Sequence, residues 1–181
     1  GSLVTQGTED ARVQMGLHEA SPVDRWGGIT LQGEGARSSR LLNTTLQNVS
    51  TGVKVNAIPQ VGQESHPELA GLLVKESQQG ILVDGSRVDI RRSRIVNFST
   101  EGVRVAGADT NVEILGESTL AQDGSRTRSG TCLAVRDRAN VVVQTSTIAA
   151  CNRGVNVYSK GSDVPNIDVS GSVITRNSTG F

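Results

Sequence analysis

Gly28-Ile-Thr-Leu31, Gly52-Val-Lys-Val55, Gly80-Ile-Leu-Val83, Gly102-Val-Arg-Val105, Cys132-Leu-Ala-Val135 and Gly154-Val-Asn-Val157 are six copies of one phrase. Each is a small residue, then apolar, free, apolar. A seventh copy begins at Gly180-Phe181. Successive slots lie 24, 28, 22, 30, 22 and 26 residues apart. A second signature falls inside the intervals, a Ser or Thr followed two residues later by a large apolar residue: Thr44/Leu46, Ser93/Ile95, Ser118/Leu120, Ser146/Ile148 and Ser172/Ile174. A short alternating strand precedes it, as in Val88-Asp-Ile90, Val112-Glu-Ile114, Val141-Val-Val143 and Ile167-Asp-Val169. The 52–80 interval is the poor copy, with Leu72-Leu73-Val74 in place of the Ser signature.

Each interval therefore holds about three short strands. Self-similarity at roughly 20–50 residues marks a solenoid, propeller or array. A propeller blade needs about 40 residues and four antiparallel strands, more than these units contain. No dense Leu-x-x-Leu-x-Leu phrase and no helical period appears. The spacing predicts an all-β fold, a parallel β-helix of about six coils of 22–30 residues. Crossovers between parallel strands of one sheet favour a right-handed coil. At about 4.8 Å per coil, the rod would be about 30 Å long. Two inward ladders follow: Ile29, Val53, Ile81, Val103, Leu133, Val155, and Leu31, Val55, Val83, Val105, Val135, Val157. β-Branched residues suit such stacks. The small slot residue is expected where the chain turns tightly.

The chain reads as one β-helix domain over 1–181, with an opening strand or cap region at 1–25 and repeat coils over 26–181. Val13, Met15 and Leu17 alternate with polar or small neighbours, as in a half-buried strand, after a turn at Gly7-Thr8-Glu9-Asp10. Trp26, the single Trp, reads as a packing anchor near one end of the core. With 35% hydrophobic and 2% aromatic residues, the core must be made of thin aliphatic layers. Lys plus Arg and Asp plus Glu both number 18, so net charge makes no case for nucleic acid. No apolar run of about 18 residues predicts membrane insertion. No leader opens the chain, and Gly1-Ser2 is compatible with a cloning scar and a removed start.

This arrangement resembles the right-handed parallel β-helix proteins with pectin-lyase-like coils. The resemblance rests on Trp26-Gly-Gly-Ile29, on the Ser-x-Ile…Gly-Val-x-Val phrase and on the Gly7-Asp10 turn, and covers about residues 7–181. That superfamily holds polysaccharide lyases, hydrolases, epimerases, adhesins and passive scaffolds. Its enzymes commonly carry their groove along outward positions of one sheet. Here that row would be Thr30, Lys54, Leu82, Arg104, Ala134 and Asn156.

A calcium-dependent lyase needs clustered carboxylates and a base. Lys54 or Arg104 would serve as base, but the row has no acid, and Asp84, Asp109 and Asp137 fall in turns. A hydrolase needs two carboxylates facing the scissile bond, and no Asp-Asp pair occurs. His18 and His66 lie off the repeat strands and read as solvated loop residues. No catalytic residue, cofactor or metal ligand is assigned, and the chain leans away from being an enzyme. Inserts at 56–68 and 158–165 follow the same strand and leave the rod at one edge. Lys54, Arg104, Asn156 and Tyr158 beside them make the candidate ligand face, suited to an anionic glycan. The alternative is that these are plain surface loops. Arg87, Arg91, Arg92 and Arg94 read as a solvated basic face.

Asn43, Asn48, Asn97 and Asn177 stand in Asn-X-Ser/Thr triplets. They are candidate glycosylation sites, or simply turn residues of a chain rich in Ser, Thr and Asn. Cys132 and Cys151 either form a disulfide in an oxidising compartment or pack as small residues. The expected function is a structural, adhesive or assembly module of a secreted or surface-displayed protein. The alternative is a carbohydrate-active protein, either a glycan binder or a lyase/epimerase fragment. The phrase breaks off at 181 without a polar cap. That suggests a segment of a longer helix, with further coils or neighbouring chains as partners besides polysaccharide.

Overall fold

A computed structural model describes residues 1–17, 22–59, 65–122, 130–159 and 161–180. His18 and Phe181 lie outside them. The chain is an all-β parallel solenoid of about five turns. The slots suggest six units because Gly180 counts as a start, yet there the chain forms only a bridge, Arg153↔Thr179, and no strand.

Three faces build each turn. The first is a seven-stranded sheet running from Val4–Gln6 through Arg40–Leu42, Glu68–Ala70, Arg87–Arg91, Asn111–Leu115 and Asn140–Gln144 to Asn166–Ser170. The second and third faces share a ten-stranded sheet. They are continuous because Thr44–Asn56, Leu73–Asp84 and Arg94–Ala106 run through the corner between them. The separate strands that the sequence suggests on these two faces are thus merged in three coils. Every strand pairing recorded is parallel, in the register the slots define: Ile29↔Val53↔Ile81↔Val103↔Leu133↔Val155.

The core is a set of ladders. Leu41, Leu69, Ile90, Ile114 and Val143 line the first face, and Leu46, Val74, Ile95, Leu120 and Ile148 the second, all buried. The corners use left-handed residues, one at each except where Gly116 and Glu117 stand together. Between first and second faces these are Asn43, Gly71, Arg92, Glu117, Thr145 and Gly171, with φ between 45° and 65°. Between second and third they are Asn48, Glu76, Asn97, Ala150 and Arg176, with φ between 53° and 60°. One such residue reverses the side-chain alternation and turns the strand onto the next face. Most are not glycine, so each costs roughly 1–2 kcal/mol, which the surrounding ladders must offset.

The slot glycines are not these corner residues. Gly52, Gly80, Gly102 and Gly154 have no positive φ. They are glycine because the interior is crowded there. A Cβ on Gly52 would lie 2.5 Å from Gly80 O and 2.6 Å from Val74 Cγ1. At these four slots the expected tight turn is therefore replaced by a close approach of neighbouring groups to third-face backbone, while Gly28, with φ 99°, combines a left-handed conformation with a crowded Cβ position.

The Ser signature follows the first corner directly. Ser93 Oγ accepts Leu72 N–H at 3.1 Å, Ser118 Oγ accepts Ser93 N–H at 3.2 Å, and Ser172 Oγ accepts Ser146 N–H at 3.1 Å. Each hydroxyl serves the coil before it, so Leu72 needs no hydroxyl of its own to have its N–H satisfied. The 52–80 interval is a poor copy in sequence and a regular coil in space.

The opening segment belongs to the solenoid rather than to a separate cap. Val4–Gln6 pairs with Arg40–Leu42, and Val13–Met15 with the start of Thr44–Asn56. It lacks the Gly slot, which is why the phrase alone places the first coil at Trp26. Trp26 packs half-buried on the core and donates Nε1–H to Gln47 O at 3.0 Å.

Candidate functional site

The outward row of the third face is the one read from sequence: Thr30, Lys54, Leu82, Arg104, Ala134, Asn156 in register. Lys54, Arg104 and Asn156 lie two coils apart from one another, about 10 Å at strand spacing. They are aligned along the rod, with Leu82 and Ala134 between them, and do not converge. Tyr158 sits two residues beyond Asn156, with 56% exposure. Arg136, on the preceding coil, places its guanidinium 5.7 Å from the Tyr158 ring centre, a cation–π contact. Arg136 Nη2 also meets Glu101 Oε1 at 3.0 Å, while Gln79 Nε2 donates to Glu101 Oε2 at 3.0 Å. Among the described residues, Nε of Arg104 and of Arg136 is buried without a hydrogen-bond partner. This ledge is a shallow strip of cation, amide and one aromatic ring.

Asp109 and Asp137 lie in turns past third-face strands, as expected, and Asp137 takes φ 55°, whereas Asp84 is the last residue of the strand Leu73–Asp84 and pairs with Asn56 and Ala106. Among the described residues no three His, Cys, Asp or Glu side chains group as a metal site.

The four Asn residues have structural tasks. Asn43, Asn48 and Asn97 are left-handed corner residues, a conformation Asn tolerates better than most. The amide nitrogens of Asn43, Asn97 and Asn177 donate to Gly7 O, Glu76 Oε1 and Ile148 O at 3.0, 3.2 and 3.2 Å. A glycan on any of these nitrogens would displace that bond.

Cys132 and Cys151 are joined in a disulfide with Cα atoms 5.8 Å apart, both fully buried. It closes a loop of 19 residues inside one coil, at the only slot that is not glycine. A loop of that size is worth about 3 kcal/mol in the chain-entropy picture.

The basic run is divided by geometry. Arg87 and Arg91 lie on the first face, Arg92 is the corner, and Arg94 begins the second-face part of its strand. Arg87 pairs with Glu113 at 3.3 Å. Arg91 Nη2 meets Asp89 Oδ2 at 2.7 Å, and His66 Nε2 meets Asp89 Oδ1 at 3.0 Å. His66 is therefore not a solvated loop residue; it lies against Asp89 of the next coil. Burial by itself would raise the Asp89 carboxyl. The hydrogen bonds and charges of Arg91 and His66 outweigh it and hold Asp89 below its ordinary value. The same bond raises Arg91.

These groups border a cleft of about 340 Å³ at the corner between third and first faces, lined also by Arg37, Ser38, Arg40, Ser65 and Glu68. This cluster is missing from the sequence reading. The signal for it was register: Glu68 and Asp89 face each other on neighbouring strands. That His66, near the end of the 56–68 insert, meets Asp89 follows from the folded chain and not from the repeat.

The inserts leave the rod at one edge, as expected. Of 56–68, residues 60–64 lie outside the described residues. Ile58 is buried and its N–H donates to Ser86 Oγ at 3.0 Å, so the insert is pinned at its base. Of 158–165, Lys160 lies outside; Asp163 pairs with Arg138 at 3.5 Å.

No protein-family model, curated protein or solved structure matches the chain.

Proposed function

We propose that the chain is a structural and assembly module of a secreted or surface-displayed β-solenoid, built on pectin-lyase-like coils. The carrying observation is the state of one ladder. Val55, Val83, Val105 and Val135 are 0% exposed, while Val157, the next rung, is 46% exposed. Ile174, the end rung of the second-face ladder, is only partly buried, while Leu46, Val74, Ile95, Leu120 and Ile148 are buried. The edge formed by Arg153–Tyr158, Asn166–Ser170 and Val173–Thr175 offers apolar rungs and backbone groups that a further coil would cover. A buried disulfide suits an oxidising compartment and supports the extracellular reading. Outward ionic groups support it too. Arg87–Glu113 and Arg136–Glu101 each join one coil to another, so these charges hold the rod together.

Sedimentation of the chain over a concentration series tests this. Association is expected to rise with concentration and to fall in the Val157→Lys variant. A chain that stays monomeric at its solubility limit would remove the reading.

Glycan binding is the second reading, favoured by the unpartnered Nε atoms of Arg104 and Arg136 beside exposed Tyr158. Calorimetric titration with a soluble polyuronate separates the two. Heat abolished by Arg104→Ala belongs to the glycan reading, and no heat to the assembly reading alone.

A further inference from the structure

The cleft at the corner of third and first faces is unlike the rest of the outward surface. Elsewhere, opposite charges pair along the rod. Here, three successive coils converge: Arg37 and Arg40 from one, Ser65 and His66 from the next, Asp89 and Arg91 from the third. Asp89 is an outward residue, yet it is only 7% exposed. Its ladder neighbours Glu68 and Glu113 are far more open. Asp89 is covered because Arg91 and His66 both bond to it. One buried carboxylate thus orients two nitrogen-bearing side chains at the cleft wall.

Among the described residues His66 Nδ1 is buried without a hydrogen-bond partner, and Asp89 Oδ1 has only its ion-pair contact with His66 Nε2. The donors the cleft leaves open are guanidinium and hydroxyl groups. The Arg40 side chain is 64% exposed, and its contact with Glu68, 3.7 Å, is longer than a hydrogen bond. Arg37 donates Nε–H to Pro59 O at 3.0 Å and lies 3.5 Å from Glu34, leaving part of its fork. Ser38 and Ser65 add hydroxyls to the lining. Three guanidinium groups and two carboxylates, Glu68 and Asp89, stand in the lining.

We propose that this cleft is an oxyanion-binding site, taking one phosphate, sulfate or carboxylate group of a larger ligand. A guanidinium fork and hydroxyl donors match such a group in geometry and charge. The volume admits an anionic group with a small attached ring, not a packed apolar ligand. Arg40 supplies the free fork, Arg91 the fixed charge, and Ser65 a hydroxyl. Asp89 is a positioning residue that acts through Arg91 and His66. The site is separate from the Lys54–Arg104 ledge and from the open coil edge, so it stands or falls independently of the assembly reading.

The test is an amide-resolved NMR titration at constant ionic strength with inorganic phosphate, sulfate and acetate as three arms. Saturable shifts are expected at Ser65, His66 and Arg91. Response to phosphate or sulfate alone assigns a tetrahedral anion, and an equal response to acetate assigns carboxylates as well. Arg40→Ala is expected to weaken binding about tenfold, the loss of one charge-assisted bond. Its exposure makes unfolding no concern, and unchanged amide dispersion checks that. Arg94→Ala removes an exposed cation on the second face and is expected to change nothing. No saturable shift with any of the three anions, or equal losses in both variants, would overturn the proposal.

Discussion

Gly102 and Gly33 are glycine for different reasons. Gly102 has no positive φ, but a Cβ there would lie 2.7 Å from Cys132 O and 2.8 Å from the Phe98 ring. Gly33 has φ 72° and nothing within 4 Å of its Cβ position. Gly102→Ala must push backbone against backbone, and the expected loss is about 3 kcal/mol or more. Gly33→Ala meets only left-handed strain, and the expected loss is about 1 kcal/mol. Urea denaturation of both variants measures the difference. Equal losses would mean that conformation, not crowding, selects the slot residue.

A corner is the natural element of this fold, and its stability depends on the coil that follows. The Ser93 hydroxyl accepts Leu72 N–H and donates to Arg91 O at 2.9 Å, while Ser93 N–H relies on Ser118. Ser93→Ala leaves a buried N–H on Leu72 without its acceptor. The expected cost is about 2 kcal/mol. Hydrogen exchange should show the loss first at the Leu72 amide, in a coil the substitution does not touch. Unchanged protection at Leu72 would mean that the ladder of hydroxyls is not what satisfies the corners. The disulfide contributes at the same level, closing one coil where a Cys replaces the slot glycine and its crowded wall.

At the scale of the molecule, contacts run from each coil to its neighbours, so stability should vary along the rod. Middle rungs such as Ile81, Ile90 and Val103 are fully buried. The rungs of the end coil, Val157 and Ile174, are not. Native-state hydrogen exchange in dilute solution is expected to show lower opening free energies for Val155–Tyr158 than for Ile81–Val83. Uniform protection would contradict a stack of coupled coils. The fold was legible in the sequence because a solenoid repeats its own chemistry. The Val/Ile ladders, the outward row and the Ser signature are periodic in the chain as they are in space. The corners were harder to read, because left-handed φ falls on Asn, Glu, Arg, Thr and Ala alike. The row is in register as read, although Ala134 is buried, yet its polar members Lys54, Arg104 and Asn156 are each about 10 Å from the next along the rod, so naming them did not make a site. Alone, the sequence determined the coil, its register and its aliphatic interior, because side-chain alternation and slot spacing fix which residues face inward. Only the tertiary structure decided that Cys132 reaches Cys151, that slot glycines answer to crowding, and that His66 and Arg91 share one buried Asp89. Those contacts join residues on different strands or coils, and the lengths of the turns between them set which side chains meet.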